Sequence, residues 1–498
     1  MMIGIRCAPR GSLPWRRTAS FAALLLITTA CDRWRDAGEV VVSAIGGDLT
    51  LRDPARGPQG FAARVMMDAS AQGLVRFDAA GQIEPGIAER WTVIDDGMSY
   101  IFRLRDAEWA DGQPVTATQV VAVLKRQLAQ PSRNPLRPFL SAIDEIVEMT
   151  PEVIEVRLNR PRPDLLKLFA QPELAIFRTR PPGGSGPLRI VSRTRSGALL
   201  RHGVDPTRSP DEIEADAPDD DVRLIAERAA MAIVRFAAGK SDLVAGGTVA
   251  DWPLLAQARI APANRRIDPA AGLFGLVVAN RQGFLADPTN RAALAAAIDR
   301  GAVTGAILPD WSSVTQLLPE QLDSAAPPTI PAWAPAASSA RVQAARDMVA
   351  SWRAAHPEPL ALRIALPAGP GGTLLYAAIG RSLIAIGIRP LRVAPDAQAD
   401  LRLIDAVAPY DSARWYLATA CAPCGEAASA AIEAARAAPD GASRAQWIAE
   451  ADVALDADAA YIPLARPLRW SLVAGRLTAW QGNPRAWHPL NHLRNAPN

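Results

Sequence analysis

Residues 360–393 constrain the fold more than any other part of this chain. Residues 360–366 form a short apolar run, residues 373–386 carry the periodicity of a helix, and residues 388–393 form a second short apolar run. A strand, a helix and a strand in this order make a βαβ unit, so part of the fold is parallel sheet and the class is α/β. At 498 residues, with 49% hydrophobic and 21% charged content, the chain is a folded protein of about two to four domains, or one large unit built of several lobes.

Other segments add to this frame. Val40-Val-Val-Ser-Ala-Ile45 reads as a strand, and residues 89–104 form a hairpin turning at Asp96-Gly97, with Tyr100, Phe102 and Leu104 on one face. Thr116-Ala-Thr-Gln119 is a capping box ahead of Val120, Leu124 and Leu128 at helical spacing, and Pro131 and Pro135 end that helix. A second hairpin-like pair covers residues 143–149 and 153–158. Residues 180–187, rich in Pro and Gly, mark a crossing between lobes, and residues 203–222 form an acidic solvated loop. Residues 271–279 read as a buried strand. Asp287-Pro288 opens a helix reaching about Arg300, and residues 323–338 read as surface linker. A helix from Ser339 buries Val342, Ala345, Val349 and Trp352, and Ser443-Arg-Ala-Gln446 caps another.

The first 30 residues set the compartment. A leader with Arg16 and Arg17 precedes Phe21-Ala-Ala-Leu-Leu-Leu-Ile27, an apolar run too short for a permanent membrane helix and of the size of a signal-peptide core. Thr29 and Ala30 before Cys31 resemble the lipobox of bacterial lipoproteins. On that reading residues 1–30 are removed, the Cys31 sulfur is lipidated, residues 31–39 form a tether, and the protein is periplasmic and lipid-anchored. Asp32 resembles the inner-membrane retention residue of some such lipoproteins. The chain has 54 Lys+Arg against 51 Asp+Glu, and removing the four arginines before Cys31 leaves 50 against 51, a net charge of −1. A nearly neutral body without a basic stripe does not suit nucleic acid, which demands cationic density.

Two constellations invite chemistry. Cys421-Ala-Pro-Cys424 admits a structural disulfide, a thiol-exchange site or half of a metal site; in an oxidising compartment the local disulfide is preferred. His488 and His492 would complete a zinc set only if both faced one way, and Pro489 biases His488 away from helical geometry, so no metal and no cofactor are expected. No nucleophile elbow, zinc-protease helix or phosphate loop is present, so the chain is not read as an enzyme.

The ordered set Gly73-Leu-Val-Arg-Phe-Asp78, Gly81-Gln-Ile-Glu-Pro-Gly-Ile-Ala88, Trp91, Tyr100-Ile-Phe-Arg-Leu-Arg105, Trp109-Ala-Asp-Gly112 and Pro114-Val-Thr-Ala117 resembles family 5 of the bacterial extracellular solute-binding proteins. Gly184-Ser-Gly-Pro-Leu188, Phe236-Ala-Ala-Gly-Lys-Ser-Asp-Leu243, Asn290-Arg-Ala-Ala-Leu294, Ala297-Ile-Asp-Arg300 and Tyr461-Ile-Pro-Leu464 extend the resemblance over about residues 40–475. It implies a two-lobed clamshell of the type II periplasmic-binding kind, with an extra subdomain in the first lobe, as in cluster C. Residues 40–70, 184–270 and 466–498 would form lobe I, residues 71–183 the inserted subdomain, and residues 271–465 lobe II. The implied function is that of a monomeric receptor handing a small solute, peptides included, to ABC permease subunits. Family receptors for peptides hold the ligand's α-amino group with an acid in a Trp-x-x-Asp-Tyr-type segment. Here the corresponding stretch, residues 399–416, offers Asp405 or Asp411, with Tyr410, Arg414 and Trp415 nearby and the tryptophan out of register. A chaperone or sensor built on the same fold, and a thiol oxidoreductase using Cys421 and Cys424, remain the alternatives.

Overall fold

The computed structural model describes residues 38–203, 221–320 and 322–494. The leader, Cys31 and most of the acidic stretch at 203–222 lie outside the described residues.

Three sheets carry the architecture. In the seven-stranded sheet Val40–Ile45 pairs in parallel with Val222–Glu227 on one side and Leu243–Thr248 on the other, and Arg469–Val473 from near the C-terminus joins antiparallel to Leu243–Thr248. The five-stranded sheet comes from the intervening chain. Ala361–Ala365 and Arg389–Val393 pair in parallel, joined by the helix Pro370–Ala385, as the βαβ pattern requires. Gly272–Val278 lies between two antiparallel neighbours, Leu401–Val407 and Tyr461–Ala465, and all seven of its residues are buried. A strand covered on both faces needs such an unbroken apolar run.

The chain passes from the first sheet to the second between Ile267 and Gly272 and returns between Ala465 and Arg469. The crossings are adjacent: the Asp268 N–H donates to the Arg469 carbonyl at 3.0 Å. The two sheets are thus joined by two short links lying side by side.

The third sheet is antiparallel, in the order Ala88–Ile94, Ser99–Leu104, Val153–Leu158, Ile143–Thr150. Tyr100, Phe102 and Leu104 face inward as their alternation dictates. The hairpin turn starts one residue before the Asp96-Gly97 pair, because Asp95 also takes a left-handed conformation. The helix Ala117–Leu128 opens with a complete capping box: the Thr116 hydroxyl accepts the Gln119 N–H, and the Gln119 side chain accepts the Thr116 N–H.

Four expectations from sequence are corrected or refined. The helix capped by Asp287 ends at Ala297, because Asp299 takes the Ala302 N–H at 2.9 Å and starts a second helix, Arg300–Gly305. Gly441–Asp458 is capped by Asp440, whose carboxylate accepts both the N–H and the hydroxyl of Ser443, so Ser443 lies inside the helix. The stretch at residues 180–187 is more tightly built than its Pro- and Gly-rich composition suggests. Pro182–Gly184 pairs with Phe177–Thr179, and a Cβ on Gly184 would lie 2.1 Å from that of Ala71, so the glycine permits close packing on the helix Phe61–Ser70. The stretch read as linker from residue 323 also has work at its start, where Asp323 accepts the N–H of Ala413 at 2.7 Å and caps the helix Ala413–Ala420. Cys421 and Cys424 form a disulfide, with Cα atoms 4.7 Å apart, at the bend between that helix and Glu426–Ala437. Among the described residues no helix is long and apolar enough to cross a membrane.

Thr116→Ala removes one half of the capping box and unsupports the other, and should cost about 1 kcal/mol, read as a lowered Tm in calorimetry. Thr118→Ala, which loses a surface hydrogen bond to Glu148, should change Tm less.

Candidate functional site

A cavity of about 470 Å³ lies between the sheets, and every part of the fold contributes to its wall. The seven-stranded sheet supplies Gly246, Gly247, Thr248, Arg469 and Trp470, and the five-stranded sheet supplies Asp405, Ala406 and Val407. Phe139 and Gln171 come from the part holding the antiparallel sheet, Phe61 and Arg64 from the helix Phe61–Ser70, and Arg485 and Trp487 from the C-terminal tail.

Two strand ends in this wall have one neighbour strand each. Leu401–Val407 pairs along its whole length with Gly272–Val278, but with Ala361–Ala365 only through Leu401 and Arg402. Leu243–Thr248 meets Val40–Ile45 only through Leu243–Ala245. Beyond that point the strand bulges against Arg469–Val473. Glycine is required there: a Cβ on Gly246, whose φ is +86°, would lie 2.5 Å from the Phe61 ring, and one on Gly247 would lie 2.2 Å from the Trp470 indole. Backbone is therefore presented directly to the cavity from both sheets.

Charged groups in the wall are held in pairs. Arg469 donates from Nη1 to Asp405 Oδ1 at 2.7 Å and from Nη2 to the Asp405 carbonyl at 3.1 Å, so this pair spans the two sheets. Arg64 pairs with Glu173 at 2.6 Å and lies over the Trp487 ring at 4.9 Å. Asp268, almost wholly buried, accepts the Asn483 N–H at 3.0 Å and faces His488 Nε2 at 3.2 Å, which seats the tail that brings Arg485 and Trp487 to the cavity. His492 faces Glu84 instead, so the two histidines serve different carboxylates.

The residues picked from sequence separate into two groups. Asp405 and Trp415 line the cavity. Asp411 stands outside the lining, paired with Lys167 and with the cavity residue Arg485. Burial works against its charge, but those two cations hold its carboxyl below the usual range. Tyr410 and Arg414 do not line the cavity; Tyr410 is fully buried and Arg414 nearly so, in the seam between the helix Ala413–Ala420 and the antiparallel-sheet part. Sequence reasoning missed Gly246, Gly247, Arg469, Arg485 and Trp487. The Gly-Gly pair inside a strand pattern was the available signal.

Beside the cavity, polar contacts join the antiparallel-sheet part to the chain after Leu401–Val407. Gln171 donates to the Pro409 carbonyl at 2.8 Å, Lys167 pairs with Asp411, and Arg162 donates to the Tyr410 hydroxyl at 3.0 Å.

Comparison with known proteins agrees with this geometry. The family model described as bacterial extracellular solute-binding proteins, family 5 Middle, matches residues 82–351. The chain is 38% identical over 90 residues to the probable deoxycholate-binding periplasmic protein YgiS of Escherichia coli K12, an alignment covering 18% of this chain and 17% of that relative. Among solved structures, Haemophilus influenzae OppA in complex with the peptide RPPGFSPFR superposes with a TM-score of 0.76 at 16% identity, over 91% of this chain and 98% of that one. The Escherichia coli murein tripeptide binding protein MppA gives 0.77 at 18% identity, over 91% and 97%. These structures share the two-lobed fold, and the family match spans more than half of the sequence: the chain belongs to family 5 of the bacterial extracellular solute-binding proteins.

Proposed function

We propose that this protein is a periplasmic receptor of an ABC importer that captures a short peptide, or a solute built like one, between its lobes and presents it to a membrane permease. One observation carries the reading. The cavity offers strand edges from both sheets beside fixed acidic and basic side chains, as a zwitterionic extended chain requires. An extended peptide adds to such an edge as a further strand, with main-chain hydrogen bonds giving affinity and side-chain pockets giving selectivity. In this reading Asp405 would exchange its pairing with Arg469 for the solute's ammonium group, Arg469 and Arg485 would take a carboxylate, and Trp415, Trp470 and Trp487 the apolar side chains. The names of similar proteins, for oligopeptides and a murein tripeptide, support this solute class.

In this reading residues 40–70, 184–270 and 466–498 form lobe I, residues 71–183 its inserted subdomain and residues 271–465 lobe II. The contacts of Gln171, Lys167 and Arg162 between these two parts would exist only when the lobes are together, so a solute that touches both walls would select the closed state. Cys31 would carry the lipid that tethers a monomeric receptor to the inner membrane, with the permease subunits as separate chains. The cleft binds and releases; it makes no covalent change.

The test is native mass spectrometry of the protein purified without denaturation, followed by tryptophan fluorescence titration with di- to pentapeptides. A retained small mass, released by unfolding, and a saturable fluorescence change are expected. Asp405→Ala should weaken binding about tenfold or more, the scale of one charge-assisted hydrogen bond, and should also lower Tm, because Arg469 loses its partner across the sheets. If no peptide in the panel binds and no mass is retained, the reading fails.

Trp487 adds a pH dependence. Its indole N–H donates to Asp68 Oδ2 at 3.1 Å, and burial pushes the Asp68 carboxyl up to about 6. A raised acid binds more protons in the folded than in the unfolded state between its ordinary 3.8 and about 6, so its contribution to stability falls as pH rises through that window. The Tm of the native protein relative to Asp68→Asn should therefore decline from pH 4 to pH 6, and a flat difference would rule out this role.

A further inference from the structure

In the seam beside the cavity the protein buries two guanidinium groups with no carboxylate to meet them. Arg414 is 4% exposed and Arg162 7%. Among the described residues neither guanidinium has a carboxylate within ion-pair distance, and the Nε of each is buried without a partner. Among the described residues Arg414 has no hydrogen-bond acceptor, and its Cζ rests 5.7 Å from the centre of the Phe139 ring. Arg162 lies 5.1 Å over the Tyr410 ring and donates from Nη2 to the Tyr410 hydroxyl, which is left with a proton of its own to give. The Phe139 and Tyr410 rings meet edge-on at 5.9 Å, so the two guanidiniums flank one aromatic pair.

The surroundings lean the same way. Arg444 is engaged by Asp323 at 2.9 Å and Arg436 by Glu433, while Arg160 donates only to the neutral Asn159 and Ser141. Asp164, the remaining acid nearby, has its carboxyl pushed up by burial and then by the charge of Asp323. Burial likewise pushes Arg414 down to about 10. An unpaired buried cation is among the costliest features a fold can hold, and guanidinium donors without a carboxylate are the chemistry that recognises an anion.

We propose that Arg162, Arg414 and the Tyr410 hydroxyl form a binding site for a small oxyanion, sulfate or phosphate, in the seam between the inserted antiparallel sheet and the helices of the second lobe. The oxyanion supplies the missing acceptors: a guanidinium can engage two oxygens at once, and Tyr410 donates to a third. Arg162 and Phe139 come from one side of the seam and Tyr410 and Arg414 from the other, so the bound ion ties the two together. None of the three proposed ligands lines the solute cavity. The site shares the Arg162–Tyr410 contact with the closed state of the proposed receptor, but its test uses no solute, so its failure and that of the peptide reading are distinguishable.

The purified protein is titrated with sodium sulfate and, at matched ionic strength, sodium chloride, with Tm as the readout. Sulfate stabilises many proteins without a site, so the comparison is between native protein and variants. In oxyanion-free buffer Arg414→Met should melt at or above the native Tm, because an unpaired charge is gone. Sulfate should then raise the native Tm in a saturable way, by several degrees, and raise the variant only as far as the unsaturable background does. Tyr410→Phe, which keeps the ring and removes one donor, should lower the apparent sulfate affinity about fivefold. Equal sulfate responses in the native protein and Arg414→Met would overturn the proposal. Should Arg414→Met fail to fold, an unchanged sulfate affinity in Tyr410→Phe would overturn it equally.

Discussion

Asp268 and Arg469 stand where the chain passes between its two large sheets, and a backbone hydrogen bond joins the two crossings into one narrow hinge. Both residues then reach the cavity between the sheets. The Arg469 side chain crosses to Asp405 on the opposite sheet, and the Asp268 carboxylate holds Asn483 and faces His488. The tail seated in this way delivers Arg485 and Trp487 to the cavity. Hinge, ion pair and tail are thus consequences of one pair of adjacent crossings.

The frame was legible in the sequence because its signals are local. The βαβ unit at residues 360–393, the buried strand near Gly272 and the Thr116 capping box each rest on neighbours within one element, and each shows as periodicity or as a cap. Where caps compete, the local signal was ambiguous: Asp299 and Asp440 are carboxylates that won over a continued helix and over Ser443. The cleft was legible only in part. Asp405 and Trp415 fell within a stretch picked out by family resemblance, but Arg469 and Arg485 are two arginines among 54 basic residues, with nothing in their own neighbourhood to set them apart. Their partners lie in distant parts of the chain, and only the assembled fold brings them together.

Arg414 and Trp415 show the limit most clearly. Neighbours in sequence, they look like members of one site. The chain enters a helix at Ala413, however, and successive side chains on a helix point about 100° apart. Trp415 turns toward the cavity while Arg414 turns into the seam. A pattern of residue types cannot separate two such neighbours until the helix start is known, and that start is set by Asp323, ninety residues away in sequence.

This short helix is also where the cavity wall and the seam come closest in sequence, and it is held at both ends. Asp323 caps its first turn, the Cys421–Cys424 bridge closes the bend at its end, and Arg444, held by Asp323, reaches the Ser412 hydroxyl at its entry. Trp415 and Arg414 are thereby held on different faces of one fixed element, the first in the cavity wall and the second in the seam, so which surface each side chain serves is decided by the cap and the bridge and not by its neighbours in sequence.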